Sequence, residues 1–248
     1  VTKGDKKKKS ESIRKKKFIL VADNNQRDGN FTAMLLQNFG YNTTMVRTGS
    51  EALDFLNIAA PALIISELAL PDMSGIDLYN RMKQLTLAPA APVFIQTRFA
   101  DVQSQDRCRR AGCAACLNKP LQTSELYRAV QQALEPTPRQ NIRVATALNA
   151  SVDGTPADTR TVISLSDSGL FIRTLEPDLV GTEHAVTFVL KDRIIRADAV
   201  VLYVYRFGEA MYEEPGMGMK FLNLSVLDRD AIQSYIHERV NPAIERKG

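Results

Sequence analysis

The sequence predicts two folded parts: an α/β doubly wound, five-stranded parallel sheet, then a small antiparallel β-barrel with a C-terminal helix. Three observations carry this. From Phe18 to Leu134, short continuous apolar runs alternate with segments of helical period, the pattern of strands buried on both faces. At Pro136-Thr137-Pro138, two prolines in three residues end a helix and stiffen a short linker. Beyond them, apolar residues alternate at period two between regularly placed glycines, as in small barrels. A length of 248 residues suits two domains.

The elements follow in order. Phe18–Ala22 reads as a buried strand, Phe31–Phe39 as a helix with apolar positions at Phe31, Met34, Leu35 and Phe39, and Tyr41–Val46 as a second strand. Ser50 can cap a helix through Leu56, and Ala62–Ser66 is a continuous apolar strand. Ser74–Leu85 is helical, Val93–Thr97 a strand, Asp101–Ala111 helical, Cys113–Leu117 a strand, and Leu121–Leu134 a helix with Leu126, Val130 and Leu134 on one face. After the linker, Val144, Thr146, Leu148, Ala150 and Val152 alternate, as do His184, Val186, Phe188 and Leu190. Ile194–Tyr205 and Met217–Leu222 are further strands, and Asp228–Val240 is helical. The predicted divisions are a disordered basic tail (1–16), the α/β domain (17–135), a linker (136–143) and the barrel domain (144–248).

Charge is unevenly spread. Residues 1–17 hold nine of the 32 Lys and Arg residues and two of the 28 Asp and Glu residues, so this tail carries +7 and the remainder −3. That balance points away from a folded nucleic-acid-binding surface. The tail reads either as an electrostatic tether to nucleic acid or an anionic membrane, or as a solubilising leader. No apolar run approaches the roughly 20 residues of a membrane-spanning helix, and the five apolar residues after the tail are too few for a signal-peptide core. Three cysteines within Cys108–Cys116 do not make a disulfide framework, so a reducing, cytoplasmic setting is expected. Cys113 and Cys116 read as small apolar residues of a buried strand, because a closed zinc site needs four ligands and the only histidines, His184 and His237, lie in the second domain.

Residues Lys17–Leu134 resemble the receiver domain of bacterial response regulators. The motifs are Asp23-Asn24-Asn25 after the first strand, Pro71-Asp-Met-Ser-Gly75 after the third, Thr97 ending the fourth and Lys119-Pro120 ending the fifth. The resemblance implies a phospho-acceptor pocket of an acidic pair, an acceptor aspartate four residues before the proline, a hydroxyl and a lysine, with carboxylates holding Mg²⁺. Here the pocket is Asp23, Asn24, Glu67, Thr97 and Lys119, with Glu67 at the acceptor position and Asn24 in place of the second acid. Glutamate extends the carboxylate by one methylene and Asn24 removes a negative charge, so a receiver that is not phosphorylated, and no bound metal, are expected. A permanent Glu67–Lys119 pair would imitate part of an activated charge state. Cys116 stands where receivers carry a switch aromatic, and Arg98 follows Thr97 where a small residue is usual.

Residues Arg139–Val240 resemble a PilZ domain, the bacterial receptor module for cyclic di-GMP. Arg139-Gln-Asn-Ile-Arg143 forms RxxxR, Ser164-Leu-Ser166-Asp-Ser-Gly169 corresponds to [D/N]xSxxG, and Gly216-Met-Gly218-Met-Lys-Phe221 to a late strand. The resemblance implies cyclic di-GMP as ligand and Arg139, Arg143, Ser164, Ser166 and Gly169 as its contacts. Arginine forks meet the guanine O6 and N7 edge or a phosphate, and glycine permits close approach. Ser164 replaces the usual carboxylate or amide, a loss of roughly five- to hundred-fold in affinity. Asp167 could partly substitute, although strand alternation points it differently.

The expected protein is a non-enzymatic, cytoplasmic bacterial signalling protein of two-component type. It has no catalytic residues, a PilZ domain that binds cyclic di-GMP, and a pseudo-receiver that serves as a regulatory or docking module. Its partners are the dinucleotide, an unidentified protein and, through the receiver-like domain, a second copy of the chain. Ligand binding is expected to order Pro136–Arg143 against the barrel. The alternative is a nucleotide-free adaptor using both domains for protein contacts. Walker loop, nucleophile elbow and histidine-based metal site are all missing from the sequence.

Overall fold

The structure is a computed structural model. It describes residues 18–85, 87, 91–98, 102–135, 141–155, 160–207 and 214–240. The basic tail, Pro136–Gln140 with Arg139 among them, and Asp101 lie outside the described residues.

Ten alternating elements build the first sheet: β1 (Phe18–Ala22), α1 (Gln26–Asn38), β2 (Asn42–Val46), α2 (Gly49–Leu56), β3 (Leu63–Glu67), α3 (Gly75–Gln84), β4 (Val93–Thr97), α4 (Val102–Ala111), β5 (Ala115–Asn118) and α5 (Thr123–Leu134). The strand order is β2-β1-β3-β4-β5, and every neighbouring pair is parallel. Continuous apolar strands are needed because both faces are covered. Ile19, Val21, Leu63 and Ile65 join Leu35, Leu36, Leu126 and Val130 on one face, while Leu20, Ala22, Ile64 and Ile95 join Ala52, Leu78 and Met82 on the other.

Of the boundaries that differ from expectation, two have a clear local reason. Helix α1 starts at Gln26 because the Asn25 side chain accepts from the Arg27 and Asp28 N–H groups. Its buried residues are Gly29, Thr32, Ala33, Leu35 and Leu36, with Phe31 and Phe39 partly buried against the same core and Met34 half-buried. Strand β5 starts at Ala115, so Cys113 belongs to the turn after α4 rather than to a strand. Gly112, at φ +86°, ends that helix, and the Cys113 N–H returns to the Cys108 carbonyl.

The remaining strands are β6 (Val144–Val152), β7 (Thr161–Leu165), β8 (Gly169–Arg173), β9 (Glu183–Leu190), β10 (Arg193–Tyr205) and β11 (Gly216–Leu224), followed by α6 (Val226–Val240). They close into an antiparallel barrel in the order β10-β11-β8-β7-β6-β9. Val186, Phe188, Ile195, Ala199, Val201, Met217 and Met219 are among its buried apolar side chains. Sequence alternation revealed β6 and β9; β7 and β8 are five residues each and fall on the Ser164–Gly169 motif, too short to show a period.

By its contacts the chain divides into two compact units. One holds Phe18–Ala145, Ser164–Asp167 and the segment from Arg229; the other holds Thr146–Ile163 and Ser168–Asp228. Within the first, Thr123 Oγ1 donates to the Val240 carbonyl at 2.7 Å and Asn38 Nδ2 to that of Arg239 at 2.5 Å.

Candidate functional sites

In open α/β sheets, sites form beyond the carboxyl ends of the strands. Here Asp23 follows β1, Glu67 ends β3, Thr97 ends β4 and Lys119 follows β5. Gly75 allows α3 to start against the end of β3. A Cβ there would stand 2.5 Å from the Glu67 carbonyl oxygen and 2.8 Å from Ser66 Oγ. The Lys119 N–H donates to the Thr97 carbonyl at 2.9 Å, which hangs the lysine from the end of β4; its peptide bond to Pro120 is cis.

The Lys119 ammonium, 5% exposed, donates to Asp23 Oδ2 at 2.7 Å and to Glu67 Oε2, and lies 3.4 Å from Asp28 Oδ2. Arg98 donates to that same Asp28 oxygen at 2.8 Å. Burial pulls the Lys119 pKa down, but the hydrogen bonds to Asp23 and Glu67 outweigh it and leave the pKa above its ordinary value. For Asp28, burial acts upward, and the Arg98 hydrogen bond with the Lys119 charge holds the carboxyl below its usual range. Asn24 is exposed. A third carboxylate near the lysine, beside Asp23 and Glu67, comes from Asp28 in the first turn of α1, which strand-end reasoning missed. The signal was its place in the first turn of a helix capped by Asn25.

Asp23, Glu67 and Asp28 already meet Lys119 or Arg98, and Asn24 brings no charge. Among the described residues no group of three or more His, Cys, Asp or Glu side chains is arranged to hold a metal. The three thiols pack with the second face of the sheet. Burial raises each of their pKa values, and Cys116 is pushed up to about 12 by burial and the neighbouring Cys108. Thiols held protonated in this way are poor nucleophiles.

The other expected contacts that the structure describes are Arg143, Ser164, Ser166 and Gly169. Buried Tyr127 of α5 packs edge-on against Phe39, with ring centroids 4.9 Å apart. Its hydroxyl donates to the Asn141 carbonyl at 3.0 Å and accepts from the Arg143 N–H at 3.2 Å. One phenol thus straps the backbone of the segment that presents Arg143. Ser164 is half-buried in β7, and Ser166, just after the strand, is only 1% exposed. Gly169 opens β8, where a Cβ would stand 2.2 Å from the Met219 carbonyl oxygen. Close approach at Gly169 is therefore already required by β8–β11 pairing. Asp167 belongs to the turn after β7, so the alternation that was expected to aim it away does not reach it. Asp167 lines a cleft of about 450 Å³ together with Asn141 and Ile142, all within one unit.

Two families match the chain. The response regulator receiver domain matches residues 19–131 and the PilZ domain residues 137–238. The polar-differentiation response regulator DivK of Brucella ovis is 28% identical over 118 residues, covering 48% of this chain and 96% of its own. The solved receiver domain of an HD domain-containing protein from Pseudomonas fluorescens Pf-5 is 28% identical with a TM-score of 0.45, covering 49% of this chain and 96% of its own. The chemotaxis response regulator CheY4 of Vibrio cholerae is 22% identical at the same TM-score, covering 48% of this chain and all of its own. The chain is a bacterial signalling protein that joins a response regulator receiver domain to a PilZ domain, the second belonging to a cyclic di-GMP-binding family.

Proposed function

We propose that this protein is a cyclic di-GMP receptor whose PilZ domain binds the dinucleotide and whose receiver domain is a pseudo-receiver, a regulatory or docking module that takes no phosphoryl group. The observation that carries the receptor half is the Arg143 backbone, held in place by Tyr127 within a family-matched RxxxR segment. The residues proposed to contact the ligand are Arg139, Arg143, Ser164, Ser166 and Gly169. The Lys119 cluster supports the pseudo-receiver half: Glu67 occupies the acceptor position and is already bound to the cation that an incoming phosphoryl group would need.

Isothermal titration of the purified chain with cyclic di-GMP, beside Arg143→Ala, tests the receptor. Saturable binding that disappears in the variant supports it; no heat at high micromolar ligand with a folded protein rejects it. Incubation with acetyl phosphate tests the other half, and a stable label on Glu67 or elsewhere in the pocket would reject it. Ser166, nearly without exposed surface, and Ser164, without a carboxylate, favour the second reading, a nucleotide-free adaptor. That reading gains if titration is silent.

A further inference from the structure

The β8–β9 and β10–β11 connections leave the barrel at the same end. Arg173 ends β8 opposite Gly216, which opens β11, and Tyr205 ends β10 opposite the same glycine. The Ser164–Gly169 motif lies at the other end, where Gly169 opens β8 opposite Lys220.

The first end is apolar. Leu175, Leu179 and Val180 in the β8–β9 connection, Leu202 in β10 and Phe207 just after it are each 51–75% exposed. Single exposed apolar residues are ordinary, but five large ones at one end of a small barrel are not. Their backbone is tied down. The Gly181 N–H donates to the Val201 carbonyl at 2.8 Å, the Val201 N–H to that of Thr182 at 2.9 Å, and the Thr182 N–H to that of Leu179 at 3.1 Å. These bonds extend the β9–β10 ladder and fix Leu179 and Val180 near Leu202. In the same connection Asp178 pairs with Arg160 at 3.7 Å. A face already ordered in this way loses little entropy on docking.

Five residues exposed to this degree offer on the order of 600 Å² of apolar surface, the upper end of what a monomer leaves open. Two such faces together bury about 1,200 Å², the low end of specific interfaces. The rim carries both signs: Arg173, Arg206, Glu176 and Glu183 are all exposed. A two-fold axis sets a patch against itself, so a rim of mixed sign is complementary to its own copy. An anionic membrane or a nucleic acid would meet the carboxylates of that rim.

We propose that this apolar end of the barrel is the contact for a second copy of the chain, joined about a two-fold axis. The contact leaves the Ser164–Gly169 end of the barrel open.

Analytical ultracentrifugation of the full chain from low to high micromolar concentration tests it, with Leu179→Asp and Phe207→Asp beside the parent. The parent is expected to pass from monomer to dimer across that range. Each aspartate enters the interface twice, so the dimer dissociation constant rises at least about a hundredfold and the variants stay monomeric. Leu179→Ala, which brings no charge, weakens the dimer about tenfold and serves if an aspartate variant fails to fold. A folded parent that remains monomeric throughout overturns the proposal. Dimers that persist undiminished in the folded variants also overturn it and put the self-contact elsewhere in the chain. Species larger than a dimer overturn the two-fold arrangement.

Discussion

Lys119 shows how a single side chain sets the state of the strand-end pocket. It holds Asp23, 1% exposed, and Glu67, 12% exposed, so its removal leaves two carboxylates short of a counter-charge. Breaking a buried pair from one side typically costs about 3–5 kcal/mol, because the remaining charge stays desolvated. Lys119→Ala is expected to lose stability in that range in urea titration, and Lys119→Arg far less. The pH dependence follows from the raised lysine pKa. A cation stabilised in the fold contributes fully below its unfolded value, near 10.5, and the contribution is lost as pH rises through the higher folded value. Parent and Lys119→Ala should therefore converge in stability only at strongly alkaline pH; a constant difference across the alkaline range would contradict the pairing.

Helix α2 and the late barrel strand show sequence motifs serving elements rather than ligands. Asp72, beside the Pro71 of the receiver motif, accepts from the Gly49 N–H at 2.8 Å, the Ser50 N–H at 2.9 Å and Ser50 Oγ at 2.7 Å. It caps α2 from another loop, and the Ser50 hydroxyl first, with these N–H groups, holds its carboxyl down to about 2. Asp72→Ala is expected to cost about 1 kcal/mol at neutral pH. A depressed carboxyl stabilises above its unfolded pKa, so this advantage over the variant disappears as pH falls from about 3.8 toward 2. Thermal melts of both proteins between pH 5 and 2 check it. In β11, a Cβ on Gly218 would stand 2.2 Å from the Tyr203 ring, which packs with Phe171 and Tyr205. Gly218→Ala should displace that ring and cost about 1–3 kcal/mol, read as a changed near-ultraviolet tyrosine signal and a lower melting temperature.

For the protein as a signalling device, the telling contact joins α5 to the arginine segment. Tyr127 ties the Asn141 and Arg143 backbone to the same helix whose Leu126 and Val130 pack on the receiver sheet. On the receptor reading, this strap pre-organises Arg143 and reduces the ordering that ligand binding must supply. Tyr127→Phe removes both hydrogen bonds and keeps the ring on Phe39. Cyclic di-GMP affinity should fall about three- to tenfold while the melting temperature shifts little, and amide exchange at Arg143 should quicken. Unchanged affinity would mean that the segment is ordered by the ligand alone.

The doubly wound sheet was legible from Phe18 to Leu134 because strands buried on both faces must be continuously apolar, and that constraint is local. The strand-end positions of Asp23, Glu67, Thr97 and Lys119 followed from it, as did the Glu67–Lys119 pair. Period-two alternation likewise exposed β6 and β9, whereas β7 and β8 were hidden by their five-residue length. Asp28 and Tyr127 were beyond the reach of pattern; Asp167 was legible as a carboxylate of the Ser164 motif, but its place in a turn was not. Asp28 meets Lys119 across 91 positions of chain, and Tyr127 reaches Arg143 across a helix end. Asp167 depends on where β7 stops. Such partners are chosen by packing between distant elements, which leaves no period in the chain; only the tertiary structure decides which polar atoms find one another and which, like Asp167 Oδ1, are left without a partner.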